Sequence, residues 1–297
     1  MTPTNPDGNH TTDDEPYPDD ILVSPDWVEA HLGQFTSNDP SYRLLEVDVD
    51  TSFYTERHIP GAIGLDWRND LRSESSRDIV GPSELERVLS ECGITEDTTI
   101  VVYGDNANWF ATHFYWMMSY YGHGDIRVMD GGRNYWEEHG YPMETSVPDP
   151  KPTNYIVQAQ HSELRATRED IEAAIGDSTQ LIDVRTQEEY TGKITAPPGS
   201  NESALRGGHI PGAVNVFWAE NIKPNRKFKS PSQLAAVYRD KGLLPEEQTV
   251  TYCRIGERSA VTWFVLHELL GYEQVANYDG SWVEWGNMIN APIETGE

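Results

Sequence analysis

The chain has 297 residues, enough for two domains of ordinary size, and its 49 acidic and 22 basic side chains give a formal charge of -27. That balance offers no basic face to nucleic acid or to an anionic membrane surface, and no segment reaches the roughly 20 apolar residues that span a bilayer. The two cysteines, Cys92 and Cys253, give neither a disulfide framework nor a zinc-ligand spacing, so a reducing, cytoplasmic location is expected.

Only six lysines occur, while Asp and Glu are spread along every segment. Such a surface suits a salt-rich cytoplasm, because the Debye length falls to about 3 Å at 1 M salt and self-repulsion is screened. A halophilic source is therefore expected. The melting temperature should climb by several degrees, roughly, as KCl is raised from dilute buffer to molar levels; a flat or falling curve would remove the idea.

In chain order, residues 1–20 are rich in Asp, Pro and Thr, with no positive n-region or apolar h-region, and read as a disordered acidic tail. Short apolar runs at 44–49, 100–103 and 126–129 are bounded by Gly, Asp or Pro, as buried parallel strands are, and helical patterns lie between them at 82–90 and 109–120. Cys92 falls at the end of the first of these helices and reads as structural. Pro142, Pro148, Pro150 and Pro152 then punctuate the chain. Beyond them strands are expected at 181–184, 250–252 and 275–278, and helices at 168–175, 232–240 and 259–270. Alternating β and α segments predict an α/β fold: parallel sheets flanked by helices on both faces.

The pattern is written twice. Arg57-His58-Ile59-Pro60-Gly61-Ala62 recurs as Gly208-His209-Ile210-Pro211-Gly212-Ala213, offset by 151 residues. Asp130-Gly131-Gly132 recurs as Asp279-Gly280-Ser281 at an offset of 149, and the run around Glu46 matches that around Asp183 at 137. The growth in offset implies an insertion of about 14 residues in the second copy, over the Gly-, Pro- and Ser-rich loop 191–207, which either lines the entrance to a site or, as expected here, is surface decoration. The domains are placed at 21–147 and 165–293, joined by a linker at 148–164. His58 and His209 occur in both copies, so they are expected to stabilise turns.

Cys253 ends the apolar run Thr249-Val250-Thr251-Tyr252 and opens Cys253-Arg254-Ile255-Gly256-Glu257-Arg258 ahead of a helix. In open α/β sheets, sites lie beyond the carboxyl ends of strands. The unpaired N–H groups of a helix start, together with Arg254 and Arg258, favour both a thiolate and an anionic substrate, and should depress the thiol pKa. The alternative, an inert buried cysteine, needs neither arginines nor an abrupt end to the apolar run. In the first copy the matching residues are Gly104-Asp105-Asn106-Ala107-Asn108-Trp109, with no thiol and an added negative charge. That loop would repel an anion, so the first domain is read as scaffold and cleft wall, catalytically inactive; the competing reading makes Asp105 an acid or nucleophile in its own right.

These segments, together with the closing stretch 275–285, resemble the two-domain rhodaneses, the thiosulfate sulfurtransferases, over residues 21–293. The resemblance implies tandem rhodanese-like domains with a silent N-terminal copy, and a persulfide on Cys253. Sulfane sulfur would pass from thiosulfate to a thiophilic acceptor: cyanide, a dithiol or a thioredoxin-like protein. No cofactor and no metal are implied. Arg254 and Arg258 would pair with sulfonate oxygens, and backbone N–H groups of Ile255, Gly256, Glu257, Arg258 and Ser259 would hold the sulfur anion, with Gly256 letting the backbone curl. Asp183 and Arg185 would support the loop; the alternative for them is a surface ion pair of little worth. Some animal members carry an arginine where this chain has Glu189 and a lysine where it has Ile255, so Arg254 and Arg258 become the expected anion binders.

Three rival activities follow. A 3-mercaptopyruvate sulfurtransferase would use the same persulfide, but such enzymes usually carry small residues where Arg254 stands. A phosphatase of the rhodanese-like kind needs a wider Cys-x5-Arg loop, and only four residues separate Cys253 from Arg258. A sulfur-carrier module serving a partner protein is the third.

Overall fold

The computed structural model describes residues 17–18, 20–73 and 75–296, so the tail expected at 1–20 lies almost wholly outside the described residues. Among the described residues, nine strands form two parallel sheets. The first contains β1 (Leu22–Val23), β2 (Tyr42–Asp48), β3 (Ala62–Asp66), β4 (Thr99–Tyr103) and β5 (Ile126–Met129), in the order β1-β5-β4-β2-β3. The second contains β6 (Gln180–Asp183), β7 (Val214–Asn215), β8 (Thr249–Tyr252) and β9 (Val275–Asn277), in the order β7-β6-β8-β9. The orders match once β2, β3, β4 and β5 are laid on β6, β7, β8 and β9. The counterpart of β1 shrinks to a single bridge, Arg165 to Asn277. The duplicated α/β architecture is thus as expected.

The strands β1, β3 and β7 are not anticipated by the apolar runs. β1 and β7 have two residues each, too few to show a period, and β3 is an edge strand interrupted by Gly64, where a Cβ would meet the Tyr54 ring at 2.7 Å. The helix expected at 259–270 begins earlier, as Glu257–Phe264, and continues as a π-helical turn over Val265–Leu269. Cys92 caps the helix Pro82–Glu91 and is buried, with its carbonyl accepting from Arg43 Nε at 3.2 Å.

Both repeated His-Ile-Pro-Gly segments are pinned in the same way. His58 stacks on Tyr54 with ring centroids 4.2 Å apart, and His209 on Tyr190 at 3.7 Å. Each histidine bridges to a glutamate, Glu144 or Glu294, whose carboxylate accepts from the glycine N–H, Gly61 or Gly212. The Ile59 and Ile210 N–H groups donate to Tyr103 Oη and Tyr252 Oη at 3.2 and 3.1 Å. His58 Nδ1 and His209 Nδ1 lie 2.9 and 2.8 Å from the Tyr54 and Tyr190 carbonyls, local contacts that fit a turn-stabilising role.

The domains meet through the helix Trp109–Tyr120, of whose 12 residues nine are buried. A helix apolar on all sides needs cover on all sides, and here it packs both its own sheet and the helix Glu257–Phe264, with Tyr115 edge-on to Phe264 at 4.9 Å. The two repeated aspartates cross this interface in opposite directions. Asp130 accepts from the Phe228 N–H at 2.9 Å, and Asp279 lies 3.0 Å from His113 Nε2. Trp67 Nε1–H donates to His113 Nδ1 at 3.1 Å, which leaves Nε2 as the donor to Asp279.

Candidate active site

β8 delivers Cys253 to the carboxyl edge of the second sheet, directly against the start of the helix Glu257–Phe264. Its Sγ accepts from the Gly256 N–H at 3.1 Å and lies 3.5 Å from Glu257 Oε2. Gly256 has φ +101°, and a Cβ there would stand 2.4 Å from Asp279 Oδ1, so only glycine closes this loop. The stretch after β9 braces the loop from below. Cys253 N–H donates to Ser281 Oγ at 3.1 Å, Trp282 N–H to the Cys253 carbonyl at 3.1 Å, and Val283 N–H to the Arg254 carbonyl at 3.0 Å. Ser259 Oγ donates to Asn277 Oδ1 at 2.7 Å, and Asn277 Nδ2 donates to the Gly256 carbonyl.

The thiol is fully buried, and its pKa differs from the sequence expectation. Burial pushes it up and Glu257 adds to this, while Arg258 and the Ser259 and Ile255 N–H groups pull it down without prevailing. The sequence displays both arginines but not how they are spent. Arg258 is buried and bonded through both terminal nitrogens to the buried Glu189, at 2.9 and 3.0 Å. Burial alone would lift the Glu189 carboxyl, but Arg258 and Arg185 hold it below the ordinary range. Arg254 is the half-buried cation of the loop: it donates to the Glu202 carbonyl at 2.9 Å and borders a groove of about 730 Å³.

Asp183 and Arg185 are not a surface pair. Both are fully buried, and Arg185 donates to Asp183 from Nε and Nη2, and from Nη2 to the Gly208 carbonyl at 2.7 Å. Its guanidinium lies 4.4 Å over the Trp282 ring, the residue whose N–H holds Cys253. The contact between this pair and the loop therefore runs through Trp282.

The inserted stretch is more than surface decoration. Pro198, Gly199, Ser200, Asn201 and Glu202 wall the groove beside Arg254, opposite Asp50, Ser52 and Arg68 of the first domain. Glu202 Oε2 accepts from Arg77 Nε at 2.8 Å, across the domain seam. Sequence reasoning gives no sign of Arg68, Arg77 or Glu202, since the Arg77–Glu202 contact spans 125 residues. Asp279 was signalled by the repeat, though not its role under Gly256.

Asp279 also carries a pH dependence. Burial favours its neutral form, but His113, Arg72 and Arg165 outweigh that and lower the pKa to about 2. A depressed carboxyl stabilises the fold above its unfolded pKa near 4 and loses that contribution as pH falls toward 2. The term is about 2 kcal/mol. The stability gap between the wild type and Asp279→Asn should narrow by about that amount between pH 5 and 2 in urea unfolding.

The corresponding corner of the first domain is closed. Asn106, Ala107 and Asn108 all have positive φ, and Asn108 Oδ1 accepts from the Gly104 N–H at 3.0 Å, the part that Ser281 Oγ plays for the Cys253 N–H. Asp48 accepts from the Asp105 N–H, and burial, then the neighbouring Asp105, hold its carboxyl well above the ordinary range.

The rhodanese-like domain family matches this chain twice, over residues 24–139 and 167–288. The chain belongs to the rhodanese family. A Haloferax volcanii protein provisionally named a thiosulfate sulfurtransferase is 50% identical over 94% of this chain and 98% of its own length. Sulfur carrier protein TtuD of Thermus thermophilus is 44% identical over 94% of this chain and 98% of its own. Among solved structures, an EanB variant with ergothioneine covalently linked to a persulfide cysteine superposes with a TM-score of 0.80 at 25% identity. That match covers 93% of this rhodanese and 70% of the EanB chain. Together these matches support a rhodanese-like sulfurtransferase. Among the described residues no helix is long and apolar enough to cross a membrane.

Proposed function

We propose that this rhodanese moves sulfane sulfur from thiosulfate to a thiophilic acceptor through a persulfide on Cys253, and that its N-terminal domain takes no part in the chemistry. The observation that carries this reading is the Cys253 cradle, with Sγ 3.1 Å from the Gly256 N–H at a helix start. Glu257 Oε2, 3.5 Å from Sγ, is placed to receive the thiol proton, which a thiol raised by burial does not shed unaided. The thiolate attacks the outer sulfur of thiosulfate. A new S–S bond forms to Cys253, and the thiosulfate S–S bond breaks with its electron pair leaving on sulfite. The acceptor, whether cyanide, a dithiol or a thioredoxin-like protein, then attacks the outer persulfide sulfur and returns the Cys253 thiolate. Two displacements through a covalent intermediate give ping-pong kinetics.

Arg254 supports an oxyanion donor, because it is the loop cation that borders the groove. The four-residue spacing from Cys253 to Arg258, and the capture of Arg258 by Glu189, weigh against a phosphatase. Similarity to a protein named a sulfur carrier favours one second reading, delivery of the persulfide to a partner protein. An intracellular, reducing setting suits a carrier whose two cysteines are both free, and a halophilic source fits the acidic composition. Initial rates on thiosulfate and on 3-mercaptopyruvate test the donor. We expect kcat/KM to favour thiosulfate by about tenfold or more, roughly 1.4 kcal/mol of differential transition-state binding; a preference for 3-mercaptopyruvate would overturn the assignment.

A further inference from the structure

The groove beside the Cys253 loop lies on the seam between the domains, and at its edge Glu202 of the second domain meets two guanidinium groups of the first through its carboxylate and Arg254 of its own domain through its carbonyl. Glu202 Oε2 accepts from Arg77 Nε at 2.8 Å, Glu202 Oε1 lies 3.7 Å from Arg68 Nη1, and the Glu202 carbonyl accepts from Arg254 Nη1 at 2.9 Å. Arg254 also stands 3.8 Å from Glu257. Behind them Arg72 lies 4.8 Å over the Trp67 ring and donates to the Arg77 carbonyl. Among the described residues, Arg72 Nη1 and Arg77 Nη2 are buried without a hydrogen-bond partner. Buried donors left unpaired cost about 1–3 kcal/mol each, so this is a place that gains from a ligand with more acceptor oxygens than one carboxylate.

The stretch that carries Glu202 is anchored at both ends: a Cβ on Gly207 would stand 2.6 Å from the Gly192 carbonyl oxygen, and Arg206 donates to the carbonyls of Trp285, Gly286, Met288 and Ala291. Between those anchors lies Pro197-Pro198-Gly199-Ser200, bound across the seam through Glu202. Cys253 itself has no exposed surface, so a donor reaches it only after a rearrangement, and this groove borders the next residue, Arg254.

We propose that Arg68, Arg77 and Arg254 form an oxyanion seat shared between the two domains, and that Glu202 occupies it until the anionic end of a sulfur donor displaces it. The donor's sulfonate or carboxylate oxygens take the Glu202 position, the Glu202 carbonyl releases Arg254, and residues 198–202 swing away from the loop. The domain without a thiol thus supplies two of the three cations that select an anionic donor. Naming the ligand a sulfur donor rests on the sulfurtransferase reading; the seat itself rests on the contacts above.

The test measures sulfite binding to the resting full-length enzyme by calorimetry at fixed KCl, with pyruvate as the carboxylate probe, alongside the rate of Cys253 alkylation by neutral iodoacetamide. Glu202→Gln removes the competing charge and keeps the shape. It is expected to tighten anion binding about tenfold, since a ligand gains what its competitor loses, and to speed alkylation severalfold. Arg68→Ala is expected to weaken binding about fivefold, as is Arg77→Lys, chosen over alanine to keep the positive charge. Tightening with sulfite assigns the seat to sulfonate donors, and tightening with pyruvate alone to carboxylate donors. A Glu202→Gln affinity within about twofold of wild type for both probes would overturn the proposal. Thiosulfate turnover with unchanged anion affinity removes the seat alone, whereas tightened affinity without any sulfur transfer leaves the seat and removes the donor reading.

Discussion

Cys253→Ser is expected to lose sulfurtransferase turnover by more than about 10³-fold, because no persulfide forms on a serine oxygen and transition-state contacts alone do not replace a covalent step. The same variant is expected to fold. Sγ already accepts from the Gly256 N–H and faces Glu257 Oε2, so a hydroxyl placed there finds both an N–H donor and a carboxylate acceptor. The stability change should stay within about 1 kcal/mol, the net worth of one hydrogen bond. Steady-state rates, with urea unfolding as the control, check both halves. A Cys253→Ser enzyme with wild-type turnover would show that another group carries the sulfur.

Glu189→Gln should have the largest effect on stability. Glu189 and Arg258 are both buried, and two N–H···O contacts of 2.9 and 3.0 Å join them. Removing one charge of such a pair strands the other inside the protein, at a cost of about 3–5 kcal/mol. The thiol should respond in the opposite sense. Freed of its closest counter-charge, with Glu257 Oε1 still 3.8 Å from its Nε, Arg258 would pull harder on Cys253, against which burial and Glu257 currently prevail. The pH profile of iodoacetamide alkylation is therefore expected to move to lower pH in Glu189→Gln even as the protein unfolds at lower urea. A variant as stable as the wild type, with an unmoved profile, would mean that the pair carries neither role.

Glu189 also marks where sequence reasoning reaches its limit. The strands β2, β4, β5, β6, β8 and β9 were legible because each is a short apolar run between breakers, and the repeat was legible because its turn residues recur in order. Cys253 stood out for the same local reason, an apolar run ending abruptly in a charged loop. Local reading does not show where a side chain's charge is used. Arg258 is drawn to Glu189, 69 residues away, and its pull on the thiol is outweighed by burial and Glu257. Nor does it show contacts made only when the two copies dock. Asp130 and Asp279 are matched by the repeat, yet one crosses to Phe228 and the other to His113. The 191–207 stretch looked like surface because its composition is that of a loop; its place at the site is set by Arg77 and Arg254, which come from different domains.

The account stands on a sulfur held at one named atom. Mass spectrometry of the intact protein after thiosulfate treatment, followed by peptide mapping without reductant, tests that directly. The predicted result is a gain of one sulfur, about 32 Da, placed on Cys253 and lost on addition of cyanide or a thiol. No gain in mass, or a gain placed on Cys92, would contradict it.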